Sequence, residues 1–313
     1  MYDARYNMGL LGMERWHPFD VRKYERAWAL IEKEIVGVRE RFLVGVDRAC
    51  AREELLNVHT AEYLDRLREP AYLAEVFEVP LAKYVPAALI ERGILRPMRW
   101  ATRGTMIAAE EALKQGMAIN LGGGFHHAKP GTGEGFCVYS DIALGVWHVR
   151  SRGLIGEDAR VVYVDLDAHQ GNGVCHAFLN DRRVKIYDQY NGEIYPQDQI
   201  ARRRIDGDEP IEMGCNGEEY LSRLQRELPS YLDRVTEEGP VGLAIYNAGT
   251  DVYSGDGLGL LGVSGEEVLQ RDRFVMEELR RRGMPMVMLT SGGYTDESHR
   301  LISRSVVELL RRG

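Results

Sequence analysis

Three residues spaced two apart, Asp165, Asp167 and His169, carry the apolar run Val161-Val162-Tyr163-Val164 into two carboxylates and an imidazole. Side chains at alternate positions of a strand share one face, so all three project to the same side. Two carboxylates beside an apolar run repel each other and lose hydration unless a cation or several donors neutralise them. That requirement points to a metal ion; the plainer alternative is an Asp-x-Asp pair that caps a helix and organises a loop. A further carboxylate, in Asn247-Ala248-Gly249-Thr250-Asp251, follows the run Val241 to Tyr246. Asp167, His169 and Asp251 together would give one divalent ion three ligands and leave a fourth tetrahedral position open, as a catalytic zinc requires. Read alone, Asp251 is a turn residue, and only its company raises it.

Two more segments bring chemistry. Asn120-Leu121-Gly122-Gly123-Gly124-Phe125-His126-His127 places adjacent histidines after three glycines that let the backbone come close to a site. Histidine is the side chain suited to moving protons near neutral pH, although the pair could equally be metal ligands or polar loop residues. Asp165 and Asn172 are natural partners to fix the tautomers of His126 and His127. The run Met284 to Thr290 ends in Ser291-Gly292-Gly293-Tyr294, whose phenol could donate to a developing oxyanion or simply pack with its hydroxyl wet. His17, His59, His148, His176 and His299 lack such company and read as surface or satisfied core positions.

These residues need a frame that gathers them. Met117 to Leu121, Val161 to Val164, Val184 to Tyr187, Val241 to Tyr246 and Met286 to Leu289 each suit a strand buried on both faces. Charged, helix-rich stretches lie between them, among them Thr105 to Gln115, Glu218 to Glu238 and Glu266 to Arg282. The alternation predicts an α/β fold with an open parallel sheet sandwiched by helices. Ligands in such sheets sit beyond the carboxyl ends of the strands, which is where the unusual residues fall. Thr60 and Ser264 read as helix N-caps. The first hundred residues read as helices and loops with no assigned chemistry.

Composition narrows the class. At 313 residues, 44% hydrophobic and 28% charged with both signs mixed, the chain reads as one soluble globular domain spanning 1–313. A net charge of −8 supplies no phosphate-neutralising surface, which argues against direct nucleic-acid binding. Cys50, Cys137, Cys175 and Cys215 form no Cys-x-x-Cys pair, so neither a disulfide framework nor a thiolate metal site is indicated. With no apolar run long enough for a signal peptide or membrane span near Met1 to Leu11, a cytoplasmic location is expected.

Taken together the motifs resemble the histone deacetylase superfamily, in particular its class IV branch. The resemblance runs through Arg5-Tyr6-Asn7, His17-Pro18-Phe19-Asp20, Gly122 to His127, Gly135-Phe136-Cys137, Asp165 to Gly173, Asn247 to Asp251 and Ser291 to Tyr294. It implies an arginase-like fold, one catalytic Zn2+, and hydrolysis of acylated amines, typically ε-acyl-lysine in a peptide or protein. Asp167, His169 and Asp251 would then ligate zinc, His126 and His127 would handle protons, and Tyr294 would hold the carbonyl oxygen. Asp165 would support His126 and a monovalent cation such as K+. Gly135, Phe136, Tyr195 and Leu258 would wall the channel for the acyl-lysine stem.

The class IV likeness also implies a preference for long fatty acyl groups, with room beneath the zinc left by Gly122 to Gly124. Three departures matter. Asn172 stands where better-known members place a carboxylate behind the second histidine. The segment 89–105 offers Glu91 but no aspartate to clamp a substrate backbone. Gly171 stands where two-metal arginases carry a further aspartate, which argues against a ureohydrolase. Rival readings are a deacylase of small amines such as acetylpolyamines and a silent acyl-lysine-binding module; the second should have lost a zinc ligand or Tyr294, and none is lost.

Overall fold

The computed structural model describes residues 1–9, 12 and 19–312, so His17 and Pro18 of the early His-Pro-Phe-Asp segment lie outside the described residues. Among them run strands β1 (Met117–Asn120), β2 (Arg160–Asp165), β3 (Val184–Asn191), β4 (Gly207–Ile211), β5 (Val241–Asn247) and β6 (Met286–Leu289). They form one sheet in the order β1-β6-β5-β2-β3-β4, with every neighbouring pair parallel. Five strands coincide with the buried runs read from the sequence. The sixth, β4, has neither an apolar run nor clean alternation, and its Pro210 is tolerated because β4 lies at the sheet edge.

Alternation along each strand loads both faces. Val162 and Val164 of β2, Ala244 and Tyr246 of β5 and Met286 and Met288 of β6 join one apolar cluster. Their neighbours Val161, Tyr163, Leu243, Ile245, Val287 and Leu289 join another. A sheet apolar on both sides must be covered on both, and the crossover helices do this. Helix Arg96–Gln115 stops at Gly116, whose φ of 82° gives the left-handed turn needed before β1. Thr60 accepts from the Tyr63 N–H, and Ser264 with Glu267 closes a capping box at the head of helix Gly265–Arg281.

The chain order places the site. From β2 the strands run outward through β3 to β4, whereas β5 returns to the other flank of β2. Strand order therefore reverses between β2 and β5, and a crevice at their carboxyl ends is the expected ligand position. Asp165 and Asn247 are register partners there. Arg271, fully buried, reaches across from helix Gly265–Arg281 and donates to the Leu166 oxygen at 3.0 Å and the Gly249 oxygen at 2.7 Å. Its guanidinium lies 2.8 Å from Asp272, so the buried charge is paired while it ties the loops after β2 and β5 together.

His59 fastens the N-terminal helices to this frame. Its Nδ1–H donates to the Pro130 oxygen at 3.3 Å, and its Nε2 accepts from the Ser140 N–H at 2.9 Å. Burial pushes the imidazole down from 6.5 to about 4. Because the unfolded state binds the proton more tightly, this contribution is complete above about pH 6.5 and disappears as pH falls towards 4. The shift corresponds to about 3 kcal/mol. Urea unfolding of wild type and His59→Gln at several pH values should show a steeper acid loss in the wild type; parallel slopes would assign the loss to other groups.

Candidate active site

Asp167 and His169 leave the end of β2, and Asp251 leaves the loop after β5; all three are buried. His169 Nδ1 lies 2.9 Å from Asp251 Oδ2 and 3.2 Å from Asp167 Oδ1. The second oxygen of each carboxylate is already engaged. Asp167 Oδ2 accepts from the Gly292 N–H at 2.9 Å and the Ser291 hydroxyl at 3.0 Å, and Asp251 Oδ1 accepts from the Ala168 N–H at 2.9 Å. Only a residue without a side chain fits at 292, since a Cβ there would meet Asp167 Oδ2 at 2.3 Å and Asp251 Oδ2 at 2.5 Å.

One oxygen from each carboxylate and one ring nitrogen are thus left to converge, and these donors lie within 4.8 Å of one another. A single imidazole proton cannot neutralise two desolvated carboxylates. Burial and the Asp167 charge lift the Asp251 carboxyl to about 7. A divalent cation with borderline nitrogen and oxygen preferences fits this donor set, and the set is too small to close off a tetrahedral ion.

The glycine turn before the histidines is held by Asp141, a buried carboxylate accepting from the Gly124 N–H at 2.9 Å and the Phe125 N–H at 2.8 Å. The two rings that follow sit 4.1 Å apart between centroids. His126 Nδ1 meets Asp165 Oδ2 at 2.9 Å, and its Nε2 is 3.7 Å from Asp167 Oδ1. Burial opposes charge on His126, but the Asp165 and Asp167 carboxylates overcome it and raise the ring to about 9. His127 Nδ1 meets only the amide oxygen of Asn172, at 2.8 Å. With no carboxylate behind it, burial and its cationic neighbours hold His127 well below the ordinary imidazole range.

Tyr294 completes the ring of groups, its own ring centroid 6.0 Å from those of both His169 and Phe136. Burial and the nearby Asp167 and Asp251 charges keep its phenol protonated far above neutrality. Two residues that no motif announces hold its loop. Asp256 accepts from the Tyr294 N–H at 2.8 Å as well as from Leu258 and Gly259. Lys23, fully buried in helix Lys23–Glu34, donates to the Ser291 oxygen at 2.5 Å and the Gly293 oxygen at 3.3 Å, with its ammonium over the Phe19 ring.

An apolar cavity opens beside these groups. Gly123, Gly124, His126, His127, Asp167 and Tyr294 are part of its lining, and Leu73, Phe77, Val79, Ala82, Ile90 and Ile94 supply much of the apolar remainder. It encloses about 90 Å³ on a measure in which one water needs roughly 10–15 Å³. Of the four residues expected to wall a channel, Gly135 and Phe136 line this cavity. Tyr195, 44% exposed, packs its ring 5.2 Å from that of His127. Leu258 lies on the loop after Asp256, 36% exposed, and is not part of the cavity lining.

Gly122 to Gly124 do not leave empty space: Cβ atoms there would meet Tyr6, Asp141 and Asn247 respectively. Gly123 and Gly124 still line the cavity through their backbone, and much of its apolar wall comes from helices of the first hundred residues that carry no motif. Glu91, the lone acid of segment 89–105, is paired with Arg99.

Comparison with known proteins places this geometry. A family model described as "Histone deacetylase domain" matches residues 17–310. Histone deacetylase 2 of Arabidopsis thaliana is 39% identical over 313 residues, covering all of this chain and 79% of that protein. Histone deacetylase RPD3 of Saccharomyces cerevisiae is 27% identical over 309 residues, covering 94% and 67%. Among solved structures, the HD domain of HDA15 superposes with a TM-score of 0.75 at 21% identity, covering 99% of this chain and 89% of that one. At these identities the last comparison speaks for the fold.

The grip of Asp256 on the Tyr294 loop is testable without any substrate. Asp256→Ala leaves three backbone N–H groups without their acceptor, each costing on the order of 1–3 kcal/mol where water cannot replace it. Hydrogen–deuterium exchange should accelerate in segment 290–296 and around Leu258, with β2 and β5 unaffected. Unchanged exchange in 290–296 would show that Lys23 alone suffices.

Proposed function

The chain belongs to the histone deacetylase family of hydrolases, and from that premise we propose that it removes acyl groups from ε-N-acyl-lysine, residues 1–313 acting as one catalytic domain of the class IV type. The observation that carries this reading is the convergence of Asp167 Oδ1, Asp251 Oδ2 and His169 Nδ1 within 4.8 Å, beside an apolar cavity whose lining includes Asp167, the histidine pair and Tyr294. Zinc is the ion these three residues would hold. Once bound, it would act as a Lewis acid on the amide carbonyl and the attacking water.

The protein's own groups do the rest. Asn172 accepts the Nδ1 proton of His127, so the lone pair of the neutral ring is on Nε2. His126 Nδ1 is committed to the Asp165 carboxylate at 2.9 Å, which favours that ring as the cation and leaves His127 as the acceptor of the water proton. That proton returns to the departing lysine nitrogen as the carbon–nitrogen bond breaks. Tyr294, held protonated, donates to the oxyanion formed on attack.

Behind His126, buried Asp188, register partner of Asp165, has an unpartnered Oδ1; it would help hold a monovalent cation such as K+, whose charge would offset that of the neighbouring carboxylates. Four free, buried cysteines accord with a reducing, cytoplasmic setting.

The cavity speaks to the acyl group. Its room well exceeds what an acetyl methyl needs, and its far wall of Leu73, Phe77, Val79, Ile90 and Ile94 offers nothing polar for a short acyl group to meet. Each methylene buried there contributes about 0.8 kcal/mol. Long fatty acyl chains are therefore the preferred cargo.

Two experiments test this reading. Tyr294→Phe should keep zinc content and unfolding midpoint while kcat falls by on the order of 10²–10³; near-normal turnover would remove the phenol from the chemistry. On matched peptides, myristoyl-lysine should exceed acetyl-lysine in kcat/KM by about tenfold or more, consistent with several buried methylenes. Ala82→Phe, which puts a ring where a methyl now lines the cavity, should erase that advantage and spare acetyl-lysine. A wild-type preference for acetyl-lysine, or for acetylpolyamines, would sink the fatty-acyl assignment.

A further inference from the structure

An amide behind a histidine can face it either way round. If Asn172 turned its NH2 towards His127 Nδ1, the ring proton would move to Nε2 and the acceptor facing the cavity would be lost. Asn172 is fully buried, so water cannot choose the orientation for it. The choice is made on its far side, where Nδ2 donates to Glu134 Oε1 at 2.5 Å. A carboxylate only accepts, so it admits only the NH2 end of the amide and leaves Oδ1 to His127.

Glu134 is itself built into place. It opens a tight turn in which the Cys137 N–H returns to the Glu134 oxygen at 2.9 Å, with Gly135 at φ 52° and Phe136 at φ 64°. Both central residues at positive φ make a turn of the I′ kind, costly for phenylalanine, and the Phe136 N–H is tied to the Val76 oxygen at 3.2 Å. At Gly135 a Cβ would strike the His127 ring at 2.4 Å. Lys129 Nζ lies 3.1 Å from the same Glu134 oxygen that meets Asn172, and the Tyr195 hydroxyl also bonds Glu134. One short turn thus sets Phe136 in the cavity wall and Glu134 behind the amide.

We propose that Glu134 is a positioning residue which, by locking the Asn172 amide, fixes the tautomer of His127; this rests on the proton-acceptor role assigned to His127 above. Glu134 supplies from outside the His–Asn pair the orientation that a carboxylate at 172 would give by itself.

The test uses zinc-loaded full-length protein with ring-15N histidine and reads the His127 tautomer by long-range NMR correlations, alongside kcat and KM. Wild type and Glu134→Gln, whose carbonyl still accepts, should show His127 protonated at Nδ1. Glu134→Ala should shift protonation to Nε2 and lower kcat about 10–100-fold with KM little changed, the usual cost of losing such a supporting partner. In an Asn172→Asp background, where either carboxylate oxygen can accept from His127 and Glu134 faces another acceptor, Glu134→Ala should leave the proton on Nδ1 and cause no loss of kcat. An unchanged tautomer in Glu134→Ala, or an equal loss in the Asn172→Asp background, would overturn the proposal, and the double variant decides the matter if Glu134→Ala alone fails to fold. The tautomer is read whether or not acyl-lysine is turned over, so failure of the lock and failure of the proposed reaction are told apart.

Discussion

Two carboxylates denied water and made to face one imidazole are the constraint from which the rest of this molecule follows. Asp167 and Asp251 could not stay buried if both oxygens of each were left to the interior. Backbone N–H groups from Gly292 and Ala168, with the Ser291 hydroxyl, take one oxygen of each. The remaining oxygens turn towards His169 Nδ1 and concentrate negative charge at a single point. The parallel sheet is what makes this affordable, because its strand ends deliver three loops to one place without burying unpaired backbone.

The loops so delivered end in carbonyls as well as carboxylates, and buried cations answer both. Arg271 binds the Leu166 and Gly249 oxygens, one from each loop bearing an acidic donor. Lys23 does the same for the Ser291 and Gly293 oxygens in the loop that ends in Tyr294. Each buried cation meets carbonyl dipoles at short range, and Arg271 also has Asp272, which is how a charge survives in the interior. Placement of the phenol relative to the acidic cluster is accordingly an electrostatic result as much as a packing one.

Much of this is legible in the amino-acid sequence alone. Five of six strands follow from short β-branched or apolar runs, and the crevice from their order and the acids at their ends. The residues without a pattern of their own stayed hidden. Strand β4 reads Gly-Asp-Glu-Pro-Ile and pairs only because β3 offers it an edge. Lys23 and Asp256 act through backbone atoms far away in sequence, a relation that spacing does not encode. The glycines 122–124 suggested space, whereas each is a point where Tyr6, Asp141 or Asn247 already fills the gap.

The apolar cavity draws its polar end from loops anchored on the sheet and its far wall from the short helices of the first hundred residues, including the π-helical turn Glu91–Leu95 that carries Ile94. The groups proposed for reactivity and those proposed to receive the acyl chain therefore come from different layers of the molecule. None of the aliphatic wall residues is a donor of the acidic cluster, so under the proposed reading the length of acyl chain admitted can drift while the chemistry beside it stays fixed.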